Sequence, residues 1–275
     1  MKTLFDKTEL AGMRLENRLF RSATWIGLTR PDGTLTDELY DIYRELADGG
    51  VGTIFTELTD ASEWNSALGS NMRLYSDALI PDYRKLVEIV HERNAKIIPQ
   101  INIYQYARSS EPHEIVDIDD LTSEDIADII RLYAEAAIRA DKCGFDGIQL
   151  HLAYGWLLYR FLNPACNHRM DEYGGSAENR CRIICEIIKT IKEEMPDKPV
   201  CGKFSFYPDY KKLNTDQRLF RHTAPIQSRE DSIYALDDCS EICRILYENG
   251  LDFIEVLGDH SIMERGNRYE SCYAE

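Results

Sequence analysis

Positive charge, long apolar runs and clustered metal-binding residues are all scarce in this chain. Its 32 Lys and Arg are outnumbered by 48 Asp and Glu, giving a formal net charge of -16. That balance argues against nucleic acid, whose phosphates need a basic face, and against an anionic membrane surface. No apolar run approaches transmembrane length. The opening MKTLFDKTEL carries charges at Lys2, Asp6, Lys7 and Glu9, so it has no signal-peptide apolar region. These absences lead us to expect a cytoplasmic protein that acts on a small molecule. The eight cysteines include no CxxC pair. Cys181 and Cys185, and again Cys239 and Cys243, sit four apart on predicted helices, which would put each pair on one face. With no His nearby to complete a tetrahedral set, we read them as small packing residues with free thiols and expect no metal. No internal repeat or low-complexity tract is visible. A 275-residue chain that is 44% hydrophobic can bury the core of one α/β domain over residues 1–275.

What the chain does have is a regular alternation of short β-rich runs and amphipathic segments, the pattern of a parallel sheet with helical crossovers. Strands are predicted at Leu19 to Ala23, Val51 to Thr56, Lys96 to Ile101, Gly147 to Leu150, Pro199 to Ser205 and Phe253 to Val256. The first helix starts after Thr36, with Asp37 and Glu38 in its first turn, and ends before Gly49. A second runs from about Pro81 to Arg93. Thr122 caps a third, whose apolar stripe through Ile126, Ile129 and Tyr133 stops at Gly144. Ser176 caps a fourth that ends at Glu194, and a fifth covers about Leu236 to Glu248. The segment at 207–231 has mixed charge and no clear period, and reads as a loop or lid insertion.

The stretch from Gly144 to Arg180 carries the most specific signal. His151 lands at the C-terminal end of a buried strand, where parallel-barrel enzymes carry their chemistry. Downstream, FLNPACNHRMDEYGGSAENR resembles the most recognisable signature of the Old Yellow Enzyme family, NAD(P)H-linked flavin oxidoreductases that use FMN. Asn17-Arg18 with Ser22-Ala23-Thr24 is similar to that family's first-strand segment, and Gln100 ends a strand as its flavin-contacting Gln does. The resemblance implies a TIM-type α/β barrel, FMN across its C-terminal mouth, and NADH or NADPH as reductant. It also implies hydride transfer through the flavin to an activated alkene, quinone or similar small acceptor.

By the same resemblance, Ser22, Ala23, Thr24, Gln100, His151 and Lys203 would hold the cofactor. Ala23 and Thr24 would lie along the ring. Gln100 would meet the pyrimidine edge through its amide, although a strand-end Gln can equally satisfy loop backbone. Lys203 stands where the family usually has Arg, keeping the charge but losing the planar fork. His151, Tyr154 and Trp156 are the candidate catalytic residues. If the chain turns helically after the strand, His151 and Tyr154 share a face and can both donate to a substrate carbonyl. Trp156 aligns with the Tyr that supplies a proton in the family, and indole is not a practical general acid near neutral pH. Ile103 falls near a place where the family often has His or Asn. Trp25 would either fill space near the ring or pack at the barrel mouth.

Only 19 residues follow Val256, whereas two further βα units would need roughly 60, judging by a typical ~250-residue barrel. The expectation is therefore an incomplete barrel with about six of its eight units. The sequence after Val256 shows no Gly-rich phosphate cradle of the kind that follows late barrel strands. Truncation, closure of the barrel by a second chain, or a natural reduced form would each account for this, and truncation is favoured. An open arc exposes strand edges and interior side chains, so self-association is expected. The alternative function is a degenerate, non-catalytic barrel that binds a small molecule or partner without flavin.

Overall fold

A computed structural model describes residues 2–64, 69–164, 166–205 and 236–257. The segment at 207–231, read above as a lid, lies outside the described residues, as does the sequence from 258 onward.

A short antiparallel hairpin, β1 (Thr8–Leu10) and β2 (Met13–Leu15), comes first. Its two-residue turn places Ala11 at φ 48° and Gly12 at φ 78°, the left-handed pair that matches the twist of the flanking strands. There follow β3 (Phe20–Arg21), α1 (Asp37–Asp48), β4 (Thr53–Asp60), β5 (Met72–Arg73) and α2 (Ile80–His91). The chain continues through β6 (Lys96–Asn102), α3 (Ser123–Cys143), β7 (Ile148–Leu152), α4 (Leu157–Leu162) and α5 (Ala177–Glu194). It ends, within the described residues, with β8 (Val200–Ser205), α6 (Leu236–Glu248) and β9 (Phe253–Leu257). The main sheet is parallel in the order β3-β4-β6-β7-β8-β9, with β5 added beside β4.

Helix starts follow local chemistry. The side chains of Thr36, Thr122 and Ser176 accept from Leu39, Asp125 and Asn179 N–H respectively, and Asp125 returns a bond to Thr122 to complete a capping box. Gly144 ends α3 at φ 95°. Two residues later Asp146 accepts from Ile97 N–H at 2.9 Å, from His91 at 2.7 Å and from Lys96 at 2.8 Å. The same device recurs after α6. Gly250 has φ 98°, and Asp252 accepts from Val200 N–H and from Lys192, each at 2.7 Å. Each Asp thus ties the N-terminal end of one strand to the loop entering the next.

The strands alternate between two environments. Outward residues such as Ile54, Ile97, Leu150, Val200 and Phe204 join the helices in the main apolar core. Inward residues at the N-terminal end, Phe55, Ile98 and Cys201 with Phe253 beside them, form a second core closed from below by Met13 and Leu15 of the hairpin. The hairpin is therefore the plug of the barrel floor. The sheet curls far enough for Ser22, just after its first strand, to meet Glu255 on its last at 2.5 Å. This is the TIM-type arc expected from sequence, with six strands along its path among the described residues. On β9 the outward Ile254 and Val256 remain exposed.

Candidate active site

Above the apolar floor the interior turns polar. Gln100 and Gln149 are Cα partners on β6 and β7, both buried. Gln100 donates to Gln149 at 2.7 Å, and Gln149 donates to Glu255 at 2.8 Å. Lys203 on β8, 3% exposed, donates to Ser22 Oγ at 2.8 Å and to the Ala23 carbonyl at 3.3 Å, and pairs with Glu255 Oε1 at 3.4 Å. Burial pushes the Lys203 ammonium below the ordinary lysine range, and the Glu255 carboxylate pulls against that shift. The result is one continuous network from β6 to β9 that ends on the segment after β3.

Two inward groups beside the network stay outside it. Asn102 follows Gln100 on the same face of β6, and His151 follows Gln149 on β7. Both are buried. Neither the amide nitrogen nor the amide oxygen of Asn102 has a hydrogen-bond partner among the described residues, and His151 Nδ1 has none either. Burial, with Lys203 adding to it, lowers the His151 pKa to about 3, so its ring is neutral at physiological pH.

The turn after His151 is not the helical one expected from sequence. Tyr154 has φ 59° and Gly155 φ 77°, both left-handed, and α4 begins only at Leu157. A helical spacing therefore does not bring His151 and Tyr154 together, yet the tight turn still leaves their rings 5.8 Å apart. Trp156 immediately precedes α4 and is buried. Its ring lies 4.9 Å from that of His151 and 5.2 Å from that of Tyr104. Trp156 is thus an aromatic wall beside the histidine.

The loop after β3 is held by a second buried acid. Glu57 accepts from Ile26 N–H at 2.5 Å, Gly27 N–H at 3.1 Å and Thr29 Oγ1 at 3.1 Å. Burial raises its pKa, outweighing these bonds. β3 itself is shorter than the predicted run to Ala23: Ser22, Ala23 and Thr24 lie in the loop, with Ser22 and Ala23 half-buried and Thr24 exposed. Trp25 is 48% exposed, and its indole approaches Gly27 so closely that a Cβ there would sit 2.8 Å from the ring. It packs on its own loop rather than in the interior.

The fold therefore brings Ser22, Ala23, Gln100, His151 and Lys203 to one interior, with Tyr154 and Trp156 at its rim. Sequence reasoning missed Gln149, Glu255, Glu57 and Asn102. Gln149 shares the alternation of a predicted strand and could have been found by following the inward positions. Asn102 alternates with Gln100 in the same way, whereas Ile103, singled out from sequence, is buried in the main core with its N–H donating to Tyr133. Ser176 caps α5 as expected, and Gly174 and Gly175 before it form a tight turn: a Cβ on Gly174 would lie 2.0 Å from the Arg169 carbonyl oxygen. Of the helical cysteine pairs, Cys181 and Cys239 are buried and Cys185 and Cys243 partly so. Among the described residues no group of three His, Cys, Asp or Glu could hold a metal ion, and no helix is long and apolar enough to cross a membrane.

A parallel αβ arc with an apolar floor and a polar C-terminal interior defines the TIM-type barrel architecture. The profile of the NADH:flavin oxidoreductase / NADH oxidase family matches residues 3–245, and the chain belongs to that family. It is 33% identical over 219 residues to an NADH oxidase of Thermoanaerobacter brockii, covering 74% of this chain and 34% of that protein. It is also 33% identical over 218 residues to an NADPH dehydrogenase of Listeria monocytogenes, covering 74% of this chain and 64% of the relative. The chain thus matches less than two thirds of the length of either protein. Among solved structures, the Old Yellow Enzyme from Pichia sp. AKU4542 superposes with a TM-score of 0.73 at 23% identity, over 94% of this chain and 72% of that one. A 2-naphthoyl-CoA reductase complex gives 0.75 at 22% identity, over 94% of this chain and 41% of that one. These two establish the fold.

Proposed function

We propose that this chain is the flavin-binding part of an FMN-dependent oxidoreductase that passes hydride from NADH or NADPH to a small activated alkene, quinone or similar acceptor. The observation that carries this reading is the buried polar layer. A cationic Lys203, a chain of amides at Gln100 and Gln149, and unpaired groups at Asn102 and His151 face one interior. Buried polar groups left unpaired cost stability, and a protein retains them where a ligand completes them. The residues present thus fit the polar edge of a flavin ring. No described residue is assigned to the cofactor's phosphate.

When bound, FMN supplies two-electron chemistry, accepting hydride from the nicotinamide and returning it to the acceptor. The protein's part is to hold and to polarise. Gln100 would present its amide to the pyrimidine edge. Lys203, fixed by Ser22 and the Ala23 carbonyl, would place positive charge beside the same edge, with Glu255 moderating it. Ser22, Ala23 and Thr24 would run along the ring. His151, neutral at working pH, would bind the acceptor's carbonyl oxygen, and Tyr154 Oη would hold the proton that a reduced carbon takes up. Trp156 would close the pocket wall and exclude water.

Trp156 in the proton donor's place, together with the neutralising pair of Lys203 and Glu255, favours a second reading: a barrel that binds a small molecule without turning it over. Absorption near 450 nm during FMN titration, followed by anaerobic addition of NADH or NADPH, separates the two. The proposal expects saturable binding and bleaching by a reduced nicotinamide. No binding at high FMN would overturn it in favour of the scaffold reading. Among the described residues β3 and β9 end the sheet, and with the exposed Ile254 and Val256 this supports self-association, which sedimentation of the purified chain tests.

A further inference from the structure

The polar interior holds satisfied groups and unsatisfied ones. Gln100 and Gln149 complete each other at 2.7 Å, and Gln149 is completed again by Glu255. Asn102 is the next inward residue of β6. Its Cα partner on β4 is Asp60, whose carboxylate is already engaged by Asn71 at 3.2 Å and 3.4 Å. The Asn102 side chain is fully buried, with its donor and its acceptor both unpaired. Packing does not explain this. Leu or Met would fill a fully buried position with no polar group to strand. Nor does backbone capping explain it, because the Asn102 backbone carbonyl accepts from Ala61 N–H while the side chain accepts and donates nothing. Across the sheet His151 Nδ1 is stranded at the same height.

We infer that Asn102 is a substrate-binding residue that selects an acceptor presenting a carbonyl and an N–H side by side, as an unsaturated lactam or primary carboxamide does. An amide side chain pairs with such an edge through two antiparallel hydrogen bonds: Nδ2 donates to the carbonyl and Oδ1 accepts from the N–H. A simple ketone uses only the first bond and leaves Oδ1 unpaired, so the second bond is the discriminating one. His151 then meets the carbonyl from the neighbouring strand. This inference rests on the proposed function for the hydride step, but the binding preference itself needs no turnover.

The test is calorimetric titration of the oxidised full chain, without nicotinamide, with three probes: a six-membered α,β-unsaturated lactam, its N-methyl derivative and cyclohexenone. The wild type is expected to bind the N–H lactam about tenfold more tightly than the N-methyl form, the worth of one added buried hydrogen bond. Asn102→Leu is expected to bring the two to parity. It should also raise the melting temperature of the ligand-free protein, since it removes two stranded polar atoms. Equal affinities in the wild type, no binding of any probe, or a preference that survives in Asn102→Leu would each overturn the inference. So would a variant that melts earlier or fails to fold, which would show the amide to be structural, or one that loses FMN affinity instead of the lactam preference. A protein that takes up FMN and is reduced by NADH yet shows no lactam preference keeps the functional reading and loses this one. A colourless protein with an Asn102-dependent preference does the reverse.

Discussion

The floor and the mouth of this barrel are built from the same strands by opposite rules. At the floor, Phe55, Ile98 and Cys201 interlock with Met13 and Leu15 in an apolar cluster. Some residues further along the same strands, Lys203, Glu255, Gln100, Gln149, Asn102 and His151 fill the same interior with charge and amides. Two or three residues of strand advance thus separate a layer that stabilises from one that costs stability unless a ligand completes it. A parallel sheet with helices on its outer face can hold both layers, because the outward core is indifferent to which is inside.

The strongest way to break this comparison is at the floor. Phe55→Ala removes a nearly fully buried ring and should lower unfolding free energy by about 3–5 kcal/mol in denaturant titration, while FMN affinity of the folded fraction stays unchanged. A large loss of affinity at constant stability would mean that the floor belongs to the site. His151 sharpens the comparison through pH. Its folded pKa of about 3 lies below its ordinary 6.5, so between these values the unfolded chain binds the proton and the folded chain does not. Stability from this group is therefore complete above about pH 6.5 and falls as the pH drops, by about 2 kcal/mol at pH 5. His151→Gln should flatten the melting-temperature profile between pH 7 and pH 5 by that amount. An unchanged profile would place the titrating group elsewhere.

Smaller still is the effect expected at the rim. Trp156 packs on His151, so Trp156→Tyr puts a phenol where the indole stood and supplies a proton donor. Reduction of an enone by the flavin-loaded variant should be a few-fold faster in stopped-flow oxidation, with the reductive half-reaction unaltered. No gain would show that Trp156 does not stand at the protonation site.

Much of the frame was legible in the sequence because its signals are local. Buried parallel strands read as short apolar runs, and the caps at Thr36, Thr122 and Ser176 mark helix starts by side-chain chemistry. The hairpin β1-β2 and the strand β5 were not legible, since two or three residues cannot display a period. Nor was α4, six residues without a capping side chain. The site was legible where a residue ends a predicted strand, as Gln100 and His151 do. Ending the third strand at Ile101 left Asn102 in the turn and hid its alternation with Gln100. Glu255 was hidden for another reason: it matters through Lys203 on the neighbouring strand and Ser22, which only the curl of the sheet brings to it. The turn at Tyr154 misled because a non-glycine residue in left-handed backbone leaves little trace in sequence.

The claim that the mouth is a flavin site is tested most directly by FMN titration of the wild type and of Lys203→Met, with the melting temperature of each ligand-free protein measured alongside. The account predicts saturable binding by the wild type, affinity about tenfold lower in the folded Lys203→Met variant, and a lower melting temperature for that variant, because Glu255 loses its buried partner. Equal affinities in the two proteins, or no FMN binding by either, would contradict it.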